Sequence, residues 1–343
     1  MPSGEQIDVP HPRETKVLFG HREAERALLT AYRGGRIPHA WLIGGPQGIG
    51  KATLAYRMAR FVLAHPGSNS ADVQAANSLA VDPDHPVARR VAAQAQGDLL
   101  VLERTDDEKG KRRTVIAVDQ VRRNVSFFGS TAGEGGWRVC VIDSADELQQ
   151  PNAANALLKV LEEPPPNALF LLVSHAPAQL LATIRSRCCM ISLRPLDEGD
   201  VAQAAAAALG RSPDDPAIAS AAAAAEGSVG RAISLLDANA LAVRQSVMAQ
   251  LDRLPTIDPL ALHTIGDAIT GTESAKLAAF LDAVNDWLSL RLADGTGERR
   301  RLVHLAEAFD QINRAGREAD EYNLERKPLV FSVFRRLAAV AAG

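Results

Sequence analysis

A chain of 343 residues with 38 Lys and Arg against 41 Asp and Glu carries a net charge of −3, which excludes a global basic field that would draw it onto nucleic acid. Its 46% hydrophobic and 23% charged residues suit a globular protein of two or three domains, and 4% aromatics leave little for a base-stacking surface. No apolar run is long enough to span a membrane and residues 1–15 lack an apolar signal core, so a cytoplasmic chain is expected.

Residues 1–15 read as a loose polar arm. Positions 23–32 put Ala24, Ala27, Leu28 and Ala31 on one helical face. A buried strand over 40–43 then feeds Gly44-Gly45-Pro46-Gln47-Gly48-Ile49-Gly50-Lys51, and helix formers run on to about Ala64. Strand, glycine loop and helix in that order are the context of a phosphate-binding loop, in which backbone N–H groups and the helix N-terminus meet phosphate oxygens and Lys51 reaches the last of them. The candidate nucleotide-binding residues are therefore Gly45, Gly48, Ile49, Gly50, Lys51, Ala52 and Thr53. One of them departs from the pattern. Position 52 calls for a hydroxyl to hold Mg²⁺ and is alanine, and Thr53 lies about 100° further round the helix.

Residues 66–86 are rich in turn formers and read as a surface insertion, and 103–113 as a charged hairpin tip. Apolar runs at 98–102, 138–142, 168–173 and 189–193 predict four more strands, and the run over 168–173, apolar on both faces, is the central one. Helices are expected at 118–128, at 152–162 with Ala154, Leu157, Leu158 and Leu161 inward, and at 178–185. Together these predict an α/β domain with a parallel five-stranded sheet covered on both sides. Cys140, Cys188 and Cys189 all fall in apolar runs, which predicts buried free thiols, and no four-ligand zinc spacing exists. After Pro195 strand patterns stop. Alanine tracts and three apolar helical faces follow: Leu277 to Leu288, Leu302 to Ile312, and Val330 to Leu337. The expected organisation is an arm over 1–15, a sheet domain over 16–195, a small helical domain over 196–238 and a helical domain over 239–343.

Asp143 ends the third strand, the place where nucleoside-triphosphate enzymes hold Mg²⁺ through water. The neighbouring glutamate that such enzymes use to polarise water is absent, because position 144 is serine, with Ala145 and Asp146 after it. Two departures on one function point to a pocket that does not hydrolyse.

The segments Asn155-Ala-Leu-Leu-Lys-Val-Leu-Glu-Glu-Pro-Pro165 and Leu181-Ala-Thr-Ile-Arg-Ser-Arg-Cys188 resemble the clamp-loader subunits of bacterial DNA polymerase III, and the likeness covers roughly the first 200 residues. The resemblance implies an AAA+ phosphate-loop domain, a small helical lid and a helical collar. It implies partners too: ATPase (gamma/tau) and delta subunits in a hetero-pentamer, with the sliding clamp and primed DNA met through the complex and no membrane. In that family Ser186-Arg187-Cys188 would present Arg187, as a catalytic group in trans, to the nucleotide of the neighbouring subunit; a surface ion pair is the plain alternative. Ser174 falls at the first sensor position, or simply ends a strand. Arg231 falls one place beyond the second sensor position. Leu18 and Phe19 fall on the adenine side, or belong to the core. ATP or ADP is the implied ligand, held without turnover, with poor provision for Mg²⁺ and no zinc, since residues 66–97 lack cysteine. An active motor ATPase of the same family and a small-molecule phosphate-loop kinase are the competing readings. Ala52 and Ser144 oppose the first, and the all-helical C-terminal region opposes the second.

Overall fold

Five apolar runs become five parallel strands, and the three central ones are sandwiched between helices. The computed structural model describes residues 9–105, 113, 115–129, 136–270, 274–293, 299–321 and 324–342. Its first part runs α1 (Arg22–Arg33), β1 (Ala40–Gly44), α2 (Lys51–Ala64), α3 (Ala71–Ala75), α4 (Pro86–Ala92), β2 (Leu99–Glu103), α5 (Val118–Gly129), β3 (Arg138–Asp143), α6 (Asn152–Glu162), β4 (Ala168–Ser174), α7 (Ala182–Arg185) and β5 (Cys189–Ser192). Helices alone follow: α8 (Glu198–Leu209), α9 (Pro216–Ala224), α10 (Val229–Leu236), α11 (Ala238–Leu251), α12 (Pro259–Ala268), α13 (Ser274–Ala293), α14 (Arg299–Glu321) and α15 (Arg326–Ala342). The chain divides into two compact units, one over residues 8–232 and the other containing 233–343.

In the first unit the strand order is β2-β3-β4-β1-β5, all parallel. Alternate residues of each strand serve different cores, as a period of two requires. Trp41, Ile43, Val139, Val141, Leu169 and Leu171 join α1, α2 and α4 on one face. Leu42, Cys140, Ile142, Phe170 and Leu172 join α5 and α6 on the other. All seven residues of β4 are buried, which is why its sequence shows no alternation. Each large side chain so buried stabilises the fold by about 1.5–3 kcal/mol.

Four expectations change. Cys189 and Met190 are exposed at the start of β5, an edge strand paired on one side only; Cys188 is half-buried, and only Cys140 of the three free thiols is buried. Residues 178–185 are not one helix: a 3₁₀ turn over Pro177–Gln179 is followed by extended Leu180 and the four-residue α7, which lets both Leu180 and Ile184 reach the α5/α6-side core. The stretch 66–86 is anchored inward at Val73 and Leu79, and Val87 and Val91 of α4 beyond it are buried in the same core. Of the polar arm, Arg13 and Thr15 are tied down, and Lys16 just beyond it likewise. Arg60 donates to the carbonyls of Arg13 (2.9 Å) and Thr15 (2.7 Å), and Arg57 to that of Lys16 (2.9 Å). Arg57 also pairs with Glu25 at 2.8 Å, and the same carboxylate oxygen accepts from the Leu79 amide at 3.1 Å. The charged hairpin tip falls mostly on residues 106–112, outside the described residues.

In the second unit, Leu277, Phe280, Val284, Trp287 and Leu288 of α13 are buried against Val330, Val333, Phe334 and Leu337 of α15, as the helical spacing predicts. Ile312 of α14 joins them; the side chain of Leu302 lies outside the described residues. A reciprocal polar contact joins α13 to α14. Asn285 and Asn313 exchange amide hydrogen bonds at 2.9 and 3.0 Å, and Asn313 also donates to the Phe309 carbonyl.

Candidate functional site

The carboxyl ends of β1, β3 and β4 lie side by side, the end of a parallel sheet where ligands are received. After β1 the chain turns sharply through the glycine loop. Gly45 has φ 149°, and a Cβ there would stand 2.6 Å from the Leu193 carbonyl. Gly48 has φ 75°, and a Cβ there would strike Ser228 and Gly230, so the loop is packed backbone to backbone against the N-terminal turn of α10. Two hydrogen bonds make that contact: Gly230 N–H to the Gly48 carbonyl (3.1 Å) and Ser228 Oγ to the Gln47 carbonyl (3.0 Å). Ile49 is buried in the core, its carbonyl 2.7 Å from His21 Nε2. Gly50, at φ 96°, is the N-cap of α2.

Lys51 opens α2 and is 3% exposed. Its Nζ donates to the Pro46 carbonyl, which folds the ammonium back over the loop. Burial pushes the Lys51 pKa down to about 8, while the charges of Asp143 and Asp146 oppose the shift. Ala52 is half-buried with its methyl on the core, and Thr53 is also half-buried. Leu18 packs on the same core, and Phe19 is half-buried beside it in the chain.

Asp143 stands at the end of β3, in register with Glu103 of β2. Ser174 ends β4, is fully buried and pairs in register with Gly44; its carbonyl accepts from the Gly45 amide at 3.3 Å. Its hydroxyl donates to Asp146 Oδ1 at 2.7 Å. The pattern-based reading missed Asp146 as a site residue. Its only signal was a carboxylate three positions past the strand end, and the contact with Ser174 spans 28 residues. Arg231 is directed to Glu226 at 3.1 Å, and it is Ser228 and Gly230 that touch the loop. The extra residue before Arg231 turns its side chain to another side of α10.

The loop, its lysine and the α2 N-terminus fit a nucleotide's phosphates. They fit a metal ion poorly, since position 52 offers no oxygen.

Arg187 lies elsewhere. It sits just before β5, at the amino end of the sheet, whereas the glycine loop leaves the carboxyl end of β1, which is β5's neighbour. Strands of four to five residues separate the two ends by roughly 15 Å. Its guanidinium pairs with Glu162 at 2.7 Å and donates to the Thr183 carbonyl at 2.9 Å, with a third of the side chain exposed. Glu162 ends α6 within the motif that includes Lys159 and Pro164.

A family model described as DNA polymerase III, delta subunit, matches residues 20–197. The delta-prime subunit of Pseudomonas aeruginosa is 41% identical over 157 residues, 45% of this chain and 43% of that protein. That of Escherichia coli K12 is 33% identical over 178 residues, 50% of this chain and 47% of that one. The tau/gamma subunit of Haemophilus influenzae is 30% identical over 289 residues, 80% of this chain and 39% of that protein. The matches thus span less than half the length of these relatives. Its five-stranded parallel sheet, with a glycine loop after β1 and helices around and beyond it, is the α/β architecture expected from the sequence. With half of its length matched by the family model and delta-prime subunits among its relatives, this chain belongs to the DNA polymerase III delta-subunit family of clamp-loader proteins.

Proposed function

We propose that this chain is a non-hydrolysing subunit of a DNA polymerase III clamp loader, and that it supplies Arg187 to the nucleotide bound by a neighbouring ATPase subunit. The position of Arg187 at the end of the sheet opposite its own glycine loop carries the reading: a guanidinium roughly 15 Å from its own pocket can meet phosphate only on another molecule. Its hold on Glu162 is an exposed ion pair, worth roughly 0–1 kcal/mol, and is readily exchanged for a more highly charged phosphate. A planar guanidinium against a terminal phosphate offsets the charge that develops on its oxygens during transfer.

In this reading the partners are gamma/tau-type ATPase subunits and a delta subunit in a hetero-pentamer, which places the sliding clamp on primed DNA in the cytoplasm. The chain's own loop holds ADP or ATP without turning it over. Three features support that half: Ala52 lacks the metal-holding hydroxyl, Ser144 replaces the water-polarising carboxylate, and the Ser174 hydroxyl is engaged by Asp146. The same three oppose an active motor subunit.

Arg187→Ala in a reconstituted loader tests the proposal. DNA-dependent ATP turnover should fall by about 10³-fold or more with assembly intact by gel filtration. Turnover equal to wild type would end the trans role.

A further inference from the structure

One carboxylate at the carboxyl end of the sheet is held so completely that it bears on what the glycine loop can accept. Asp146 Oδ1 accepts from Ser174 Oγ (2.7 Å) and the Ala176 amide (3.4 Å); Oδ2 accepts from the His175 amide (2.5 Å) and Ser144 Oγ (3.3 Å). An ionised carboxylate has about four lone-pair sites, so four donors leave none for a metal ion. The proton count on Ser174 is as restrictive. Its hydroxyl has one hydrogen, committed to Asp146, and presents only lone pairs to any other oxygen.

This arrangement stands beside the loop, since Ser174 is in register with Gly44 and its carbonyl accepts from the Gly45 amide. Lys51, at the loop's far end, feels the charge of both Asp143 and Asp146. A phosphate loop surrounds the inner phosphates with backbone N–H groups and its lysine reaches toward the outermost. A third phosphate would therefore be directed at Asp143, Asp146 and the lone pairs of Ser174. Ala52 contributes no oxygen to hold a metal ion that could screen that repulsion, and Asp146 has no lone pair left to hold one.

We infer that Asp146 makes this a pocket for a nucleoside diphosphate rather than a triphosphate, the chain's own carboxylate standing where the terminal phosphate would lie. The inference rests on residues 44–51 being a retained phosphate loop, as in the proposed function. Arg187 plays no part in it, so the Arg187→Ala experiment and the one below fail independently.

Calorimetric titration of the full chain with ADP and with ATP, each with and without Mg²⁺, provides the test. Wild type should bind ADP about tenfold or more tightly than ATP. Lys51→Ala should weaken both, which locates the binding in the loop. Asp146→Asn removes the charge, and Asp146→Ala removes charge and acceptor together; either, shown folded by thermal melting, should bring the ADP-to-ATP preference close to one by tightening ATP. A merely structural Asp146 would lower the melting temperature and leave the preference untouched. Equal or tighter ATP binding by wild type, a preference unmoved in both folded variants, or no nucleotide bound by wild type overturns the inference.

Discussion

The two ends of one parallel sheet hold their basic groups in opposite ways. At the carboxyl end Lys51 is 3% exposed, folded onto the Pro46 carbonyl, beneath a loop pinned by Ser228 and Gly230. At the amino end Arg187 is a third exposed and rests on the half-exposed carboxylate of Glu162. Burial with internal partners makes a group expensive to move; exposure with one flexible partner makes it cheap. The difference teaches that the conspicuous motif marks the end whose basic group is held in place, while the basic group at the other end is the more readily moved.

The largest effect should come from a substitution that keeps the charge of Arg187 and removes its fork. Arg187→Lys should lose most of the partner's turnover, within about tenfold of Arg187→Ala, because an ammonium cannot make the planar bidentate contact. Wild-type turnover with lysine, measured as steady-state ATPase of the assembled loader, would reduce Arg187 to a point charge and erase much of the contrast.

A second effect follows from the depressed pKa of Lys51. Burial holds the free ammonium at about 8, and a bound phosphate favours the charged form, so the pKa in the complex is higher. Binding then takes up a proton above pH 8. Affinity for ADP should be flat below pH 8 and fall by up to about tenfold per pH unit above it, until the pKa of the complex is passed. Titrations from pH 7 to 9.5 check this, and a flat profile would mean that Lys51 does not meet the phosphates.

Glu162→Gln should do least. It should shift stability to urea by under about 1 kcal/mol and leave assembly unchanged. A loss much larger than that would show the amino end to be as firmly built as the loop, and the comparison would fail.

Much of the sheet was legible because a strand buried on both faces announces itself as an unbroken apolar run, as at residues 168–173. At the sheet edge the run misleads: Cys189 continues an apolar stretch and is exposed, since edge position is a property of strand order rather than of local sequence. The positions of the loop, Asp143 and Ser174 were legible because each follows or ends a strand. Asp146, Ser228 and Gly230 were not, because each acts through a contact between distant segments: Asp146 with Ser174, Ser228 and Gly230 with Gln47 and Gly48. The insertion after α2 hid its buried Val73 and Leu79 among turn formers for the same reason.

The amide pair between α13 and α14 has a consequence for how the helical unit can be altered. Asn285 and Asn313 are a matched key and lock: each supplies the donor that the other's carbonyl needs. Sliding one helix by a turn, or replacing Asn313 by leucine, would leave the half-buried Asn285 amide without this partner at a cost of about 1 kcal/mol. The two helices are therefore a single unit of inheritance, and a chimera that joins them from different parents should carry both asparagines or neither.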